Sequence, residues 1–242
     1  GESQMKVTTK YMIDDNSSET DELVDSKLYN ALKGYFATPV SYEDFTSTVD
    51  NPNGIISSDK VGPTIANDIK RNAVIAVIIA LFAIFVYIAV RFKNWTYGLG
   101  GVAALTHDAV IAIGFFSLFT GILPFSLDVD QTFIAAILTI IGYSINDNVV
   151  IFDRIRENNM LYPKREASLN INDALNKTLS RTINTSGSTL VTLFAIALFG
   201  GEVIRGFAVA LIVGIIFGTY SSVFIGTPLM YDLTQRRAKK AE

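Results

Sequence analysis

The chain has 242 residues, half of which are hydrophobic, and its mean hydropathy is +0.35. These values exclude an ordinary soluble domain of this size and predict a membrane protein. The absence of cysteine excludes disulfides and thiolate metal sites, and the net charge of -3 indicates no nucleic-acid partner. No signal-peptide pattern opens the chain, so we interpret Gly1-Glu2-Ser3 as either an artificial boundary or one within a longer chain.

Residues 1–70 have the pattern of a partial α+β domain. Met5, Val7, Thr9, Tyr11 and Ile13 occupy every second position, and this alternation predicts that they form one face of a half-buried strand. A helix follows, with Thr20 as its predicted cap and Gly34 as its stop. Its apolar stripe is Leu23, Val24, Leu28, Ala31 and Leu32. A turn over 51–54 then precedes Ile55 and Ile56. One strand and one helix cannot close a core, so we expect part of this domain to be missing or to lie upstream.

From Asn72 onward, apolar blocks are long enough to cross a bilayer as helices, which need about 20 residues each. They predict five spans, at about 72–90, 98–120, 131–152, 183–199 and 204–227. The predicted fold class is therefore an α-helical polytopic membrane protein with five transmembrane helices. Its transmembrane domain covers residues 71–233 and is followed by a tail over 234–242.

Lys and Arg residues in the short loops predict the orientation of these spans. The loops after the first and third spans and the tail are rich in basic residues, whereas the loops at 121–130 and 200–205 hold only Arg205. We therefore predict a cytoplasmic tail and an extracytoplasmic domain over residues 1–70. Lys70 and Arg71 would lie on the extracytoplasmic side, against the rule that basic residues favour the cytoplasmic side. They end a long translocated segment, however, where this preference of basic residues is weak.

Between the third and fourth spans, residues 170–179 show the apolar spacing of one helical face, with Asn170 as the predicted cap. The apolar positions are Ile171, Ala174, Leu175 and Leu179. Three interpretations fit this pattern: a helix on the inner membrane surface, a helix leading into the next span, or a helix that docks a partner.

The run Asn146-Asp147-Asn148 places a carboxylate inside the third span, about five residues from its cytoplasmic end. Such a group costs roughly 3 kcal/mol or more in a bilayer, so it needs a partner, a water path or a function. Arg181 lies at the mouth of the next span and could pair with Asp147 to form a proton site. Alternatively, Arg181 extends to the interface and Asp147 is a neutral carboxyl that holds helices together.

His107 and Asp108 lie near the middle of the second span. Neighbouring residues point about 100° apart on a helix, so we expect only one of them to face a given neighbour directly. His107 could relay protons or pack against another helix through a hydrogen bond, and Asp108 could be a fixed hydrogen-bond acceptor. The acidic residues outside the spans lack ligand spacing, so no cofactor or metal ion is predicted.

Two further sequence features, the glycines of the spans and a serine motif, each have more than one interpretation. The span glycines Gly98, Gly100, Gly101, Gly214 and Gly218 favour close helix packing, with hinge motion as the second interpretation. Gly142-Tyr143-Ser144 together with His107 weakly suggests an intramembrane serine protease, although the usual glycine after the serine is Ile145 here. We expect the chain not to be an enzyme.

Long ordered segments resemble the family of the SecF protein-export subunit and the matching half of fused SecDF. They are GYSINDNVVIFDRIREN (142–158), LSRTINTSGSTLVTLFAIALFGG (179–201) and IRGFAVALIVGIIFGTYSSVFIGTPLMYDL (204–233). Shorter matches are Ala104-Leu105-Thr106-His107-Asp108, Arg91-Phe92 and Val61-Gly62-Pro63, and the likeness covers about 61–233. Asn148 departs from the family, which often has Thr there.

The resemblance implies a resistance-nodulation-division type fold with six helices per half, of which the five spans here are the second to sixth. It implies use of the proton-motive force to promote protein export through the SecYEG channel after the SecA motor has acted, with SecD as a separate or fused partner. It also implies that Asp147 and Arg181 are the functional pair. Asp108, His107, Asn146 and Asn148 are the secondary polar candidates that their position within the spans predicts. An exporter of small molecules or lipids from the same superfamily, or a scaffold without a proton role, is the alternative.

Overall fold

The computed structural model describes residues 5, 7, 9, 11, 12, 15, 17–36, 38–47, 54–56, 58, 63–123, 127 and 131–241. The chain divides into two compact units, residues 1–72 and 73–242. Within the described ranges, all regular structure is helical.

In the first unit, helix α1 (Ser18–Leu32) confirms the predicted helix, but its cap is Ser17 and not Thr20. The Ser17 hydroxyl accepts a hydrogen bond from the Thr20 backbone N–H at 3.3 Å, because Ser17 has the extended backbone that a cap requires. Thr20 lies inside the helix, is buried, and donates its hydroxyl to Asp15 Oδ2 at 2.8 Å. Helix α2 (Tyr42–Thr46) is capped in the same way by Ser41.

The predicted strand is not found at its described positions. Met5, Val7 and Thr9 have no strand structure, and Tyr11 lies in a turn, while Ile13 is outside the described residues. A strand without a neighbouring strand leaves its backbone groups unpaired, which explains why alternation alone did not produce one here. The predicted turn over 51–54 is described only at Gly54.

Five long apolar helices confirm the five predicted spans. They are α3 (Pro63–Arg91), α4 (Trp95–Phe119), α5 (Gln131–Leu161), α6 (Ala167–Phe199) and α7 (Glu202–Ser221). The last continues through a π-helical turn, Ser222–Gly226, into α8 (Thr227–Ala241), so this apolar helix runs over Ile204–Lys240.

Helices α5 and α6 are longer than the predicted spans at their facing ends. The segment 170–179 is the beginning of α6 and leads without a break into the fourth span, which is one of the three interpretations of its pattern. Asn170 is therefore not the cap. It is buried in the first turn of α6, where its Nδ2 donates to Asn159 Oδ1 at 3.0 Å, and Glu166 holds the cap position.

Two apolar clusters form the core of the second unit. One lies where α4, α5 and α7 meet and contains Phe116 and Phe133, with ring centres 4.4 Å apart. The other is built on Phe92, Tyr97 and Phe152, with the Phe92 and Tyr97 rings stacked at 5.2 Å. These clusters fix α4, α5 and α7 around the polar residues described below.

The span glycines lie at close helix contacts, as the packing interpretation predicts. A Cβ atom on Gly98 would be 2.8 Å from the Phe85 ring, and one on Gly101 would be 2.7 Å from Ile88 Cδ1. A side chain at Gly214 would likewise collide with Ile140. These positions bring α3 against α4 and α5 against α7.

Candidate functional site

Asp147 lies on the buried face of α5, with 4% of its surface exposed. Ser144, Asp147, Asn148 and Ile151 are all buried, at the three- and four-residue spacing that places side chains on one helical face. Asn146 falls between these positions and is exposed, so it does not join the site. Of the three polar residues in this run, only Asp147 and Asn148 are therefore buried between the helices.

The Asp147 carboxylate has one buried oxygen, Oδ2, with no hydrogen-bond partner among the described residues. The charge of Arg181 on α6 acts on this carboxylate. No direct ion pair joins the two described side chains, and Arg181 is exposed. The arrangement is thus a desolvated acidic group with a nearby cation that does not neutralise it by direct contact.

Asn148, the next residue after Asp147, lies between Ser144 and the last span. It is fully buried, and its Nδ2 donates to the Ser144 carbonyl at 3.1 Å. Its Oδ1 has no hydrogen-bond partner in the described part of the chain and points at Gly226, where a Cβ atom would be 2.7 Å away. Gly226 ends the π-helical turn, a feature often found at functional sites.

Asp108 on α4 is fully buried and has hydrogen bonds on both carboxylate oxygens. The Ser144 hydroxyl donates to Oδ2 at 2.6 Å, and His107 Nδ1 lies 3.1 Å from Oδ1. His107 and Asp108 thus contact each other, although their backbone positions point about 100° apart. About a quarter of the His107 side chain is exposed, and its ring lies beside Phe217 and Tyr220 on α7.

Sequence reasoning does not predict the contact that Ser144 makes in the structure. The sequence suggests Ser144 only as a weak candidate nucleophile, yet its hydroxyl donates to a carboxylate and forms the chain Ser144, Asp108, His107. In a serine protease the histidine lies between the serine and the acid and removes the serine proton. The order here is different, so the geometry gives the protease hypothesis no support.

Hydroxyl pairs join α6 to its neighbours along the small polar run that follows Arg181. Tyr143 and Thr189 hydroxyls are 3.1 Å apart, and those of Ser186 and Thr219 are 2.7 Å apart. Such pairs hold membrane helices together with modest energies, about 0.6 kcal/mol on average. The helix that carries Arg181 is therefore tied to both α5 and α7.

Five long apolar helices that enclose buried carboxylates define a polytopic membrane protein with ionisable groups at membrane depth. The chain belongs to the SecD/SecF family of protein-export membrane proteins, because residues 41–236 match the model described as "Protein export membrane protein SecD/SecF, C-terminal".

Several relatives have a printed name that agrees with this family. The protein translocase subunit SecF of Rhodothermus marinus is 51% identical over 186 residues, which are 77% of this chain and 60% of that protein. SecF of Koribacter versatilis is 40% identical over 226 residues, which are 92% of this chain and 51% of that protein. The chain thus spans roughly half to three fifths of the relatives it matches.

A solved structure supports the fold. The crystal structure of SecDF in its super-membrane-facing form matches with a TM-score of 0.67 and 34% identity. The match covers 93% of this chain and 27% of the SecDF chain.

Proposed function

We propose that the chain is the greater part of an accessory subunit of the Sec preprotein translocase, which uses the proton-motive force to promote protein export. The observation that carries this proposal is the Asp147 carboxylate, which is buried, has one unpartnered oxygen, and lies under the influence of the Arg181 charge. The names of its SecF relatives support the pathway.

The proposed mechanism is a proton cycle at Asp147. When the Arg181 guanidinium moves away, a buried carboxylate is costly and takes up a proton; when the guanidinium returns, the charged carboxylate is favoured and the proton leaves. The unpartnered Oδ2 is the atom available to hold that proton. One proton that crosses about 100 mV supplies roughly 2.3 kcal/mol, enough to bias a conformational change of the outer domain.

The proposed partners follow from the same family membership. SecD, separate or fused, would supply the other half of the transporter, and the SecDF structure is the neighbour that supports this. The SecYEG channel and exported preproteins are the further proposed partners. We place the protein in the cytoplasmic membrane, with residues 1–70 extracytoplasmic and the tail over 234–242 cytoplasmic, because of the basic residues in its loops and tail.

The test is export of a secreted reporter by membrane vesicles that carry the full-length protein with its translocase, with and without a proton gradient. Asp147→Asn should remove only the gradient-dependent part of export. Asp153→Asn is the matched control, because Asp153 is a partly exposed carboxylate on the same helix that pairs with Arg91 and Arg156. Full gradient stimulation in Asp147→Asn would overturn the proton role and favour a scaffold.

A further inference from the structure

Among the described residues, the proposed proton cycle leaves one buried carboxylate unused, and that carboxylate is Asp108. Its carboxylate is fully buried near the middle of α4. Among the described residues, no Lys or Arg side chain forms an ion pair with it, and its only charged or chargeable contact is His107. An isolated carboxylate at this depth is far costlier than one that shares a proton with a neighbour.

The groups that face Asp108 come from three helices. Helix α4 contributes His107, and α5 contributes Ser144, with Asp147 three residues further along the same buried face. Helix α7 contributes Gly218, where a Cβ atom would be 3.4 Å from Asp108 Oδ2, and it places Tyr220 beside His107. The titratable groups around this carboxylate are therefore a histidine, a tyrosine and a second carboxylate.

The distances allow a proton to pass through Asp108. The contact of 2.6 Å between Ser144 Oγ and Oδ2 is within the usual range for a hydroxyl that donates to a carboxylate, and the contact of 3.1 Å between His107 Nδ1 and Oδ1 is also an ordinary one. Ser144 and Asp147 are about 4.5 Å apart along the helix axis, given the rise per residue. One water molecule hydrogen-bonded to both side chains would complete the path between them.

From this geometry we infer that Asp108, Ser144 and His107 form a second proton-binding station, one helical turn away from Asp147. This inference rests on the proposed function, since it supplies the next step for a proton that Asp147 handles. Ser144 connects the two carboxylates, and the partly exposed His107 releases the proton to water.

The proton balance is simple. In uptake, Ser144 gives its hydroxyl proton to Asp108 Oδ2 while Ser144 Oγ takes up a proton that the Asp147 carboxyl group releases, passed on by a water molecule that gains one proton and gives one up, so Asp108 becomes a neutral acid. In release, a half-turn of the carboxyl group brings the proton to His107 Nδ1, and His107 gives its Nε2 proton to water. His107 then carries its proton on Nδ1, and exchange of that proton with water restores the starting tautomer with the proton on Nε2. One proton enters from Asp147 and one leaves to water, and Ser144 and the bridging water molecule are unchanged.

The substitution Asp108→Asn separates a proton station from a fixed hydrogen-bond acceptor. The amide oxygen of Asn can accept from Ser144, and its NH₂ can donate to neutral His107 Nδ1, so both hydrogen bonds survive. The Asn side chain cannot take up or release a proton at the pH values at which a carboxyl group does. A purely structural Asp108 should therefore tolerate Asn, whereas a proton station should not.

The experiment combines two readouts on the full-length protein in lipid vesicles. The first is the infrared C=O stretch of a protonated carboxyl group, followed as the pH is lowered. We expect two such bands, one absent in Asp147→Asn and the other in Asp108→Asn. The second readout is gradient-dependent export with the translocase, which Asp108→Asn should abolish and Ser144→Ala should reduce. Thr106→Val is the matched control, because the Thr106 hydroxyl bonds only to its own helix at Val102.

The outcomes distinguish this inference from the proposed function. If Asp147→Asn loses gradient-dependent export but Asp108→Asn keeps it and shows the native bands, the station is overturned and the function stands. If neither variant changes gradient-dependent export, both fail. Should Asp108→Asn not assemble, Ser144→Ala decides: it keeps the Asp108 carboxyl, and an unshifted band with native export would overturn the station.

Discussion

Gly100 on α4 lies so close to Gly226 in the π-helical turn that a Cβ atom on Gly100 would be 2.5 Å from the Gly226 carbonyl oxygen. The same atom would be 2.8 Å from Met230 Cβ on α8. A Cβ atom on Gly226 would be 2.7 Å from Oδ1 of the buried Asn148 and 3.1 Å from the Gly100 carbonyl oxygen. The contact between the second and last spans therefore has no room for a methyl group, and it borders the candidate site.

Gly100→Ala should destabilise the protein by about 1–3 kcal/mol, the usual cost of overpacking. The neighbouring atoms are backbone and Cβ, which cannot rotate away as the end of a flexible side chain would. Thermal unfolding of the purified protein in lipid nanodiscs measures the effect. Gly114→Ala on the same helix is the control, since a Cβ atom there meets nothing within 4 Å. It should be neutral or slightly stabilising, because alanine is the better helix former. Equal melting temperatures for the two variants would contradict the packing argument.

Arg181 should act on export through Asp147 and not independently. We expect Arg181→Gln and Asp147→Asn each to remove gradient-dependent export, and the double variant to be no worse than either single one. Such non-additivity is the mark of two groups that work as a unit. Lys177→Gln is the control, because it removes a positive charge one turn away on the same helix, where Lys177 pairs with Asp173 at 2.7 Å. Additive losses in the double variant would show that Arg181 acts elsewhere.

The sequence predicted the parts of this protein that depend on local composition. Hydropathy over about 20 residues is enough to identify a span, because every backbone group in a bilayer must be paired within a helix. The cost of a charge in hydrocarbon singled out Asp108 and Asp147 for the same reason. Both carboxylates are indeed buried.

The parts that sequence could not predict depend on which residues face each other. Ser144 contacts Asp108 because α4 and α5 pack together, and no residue spacing in the sequence predicts that contact. The apolar repeat begins only at Ile171, so the sequence places the cap of this helix at Asn170, whereas α6 begins at Ala167 with Glu166 at the cap position. The π-helical turn at Ser222–Gly226 likewise has no local sequence signal that distinguishes it from an α-helix.

Asn158 should stabilise the facing ends of α5 and α6. It is fully buried, and its Nδ2 donates to the Asn170 carbonyl at 2.9 Å and to Asp173 Oδ2 at 3.2 Å. Asn158→Ala removes both of these hydrogen bonds, one of them to a carboxylate, which costs about 1–3 kcal/mol in total. Thermal unfolding measures this loss, and limited proteolysis of the connection at 162–166 should show faster cleavage.

Asn176→Ala is the matched control for that prediction. Asn176 is exposed on α6, and its Nδ2 donates to the carbonyl of Asn172 in its own helix. Water replaces such a bond, so this variant should unfold and be cleaved like the native protein. A native cleavage rate for Asn158→Ala would mean that the two helix ends are held together by their apolar contacts alone.

Phe152 should be among the most important residues for stability in the second unit. It is fully buried, and its ring meets Tyr97 edge-on at 5.2 Å and Phe92 at 5.9 Å, so three helical segments depend on one side chain. Phe152→Ala should cost about 3–5 kcal/mol, because the surrounding rings cannot collapse into the cavity. Phe152→Leu keeps most of the volume and should cost less than about half of that.

Phe194→Ala is the control, since 48% of Phe194 is exposed and its loss opens no cavity. Thermal unfolding in nanodiscs ranks the three variants, and a Phe152→Ala protein as stable as Phe194→Ala would show that the aromatic cluster does not hold α4 and α5 together.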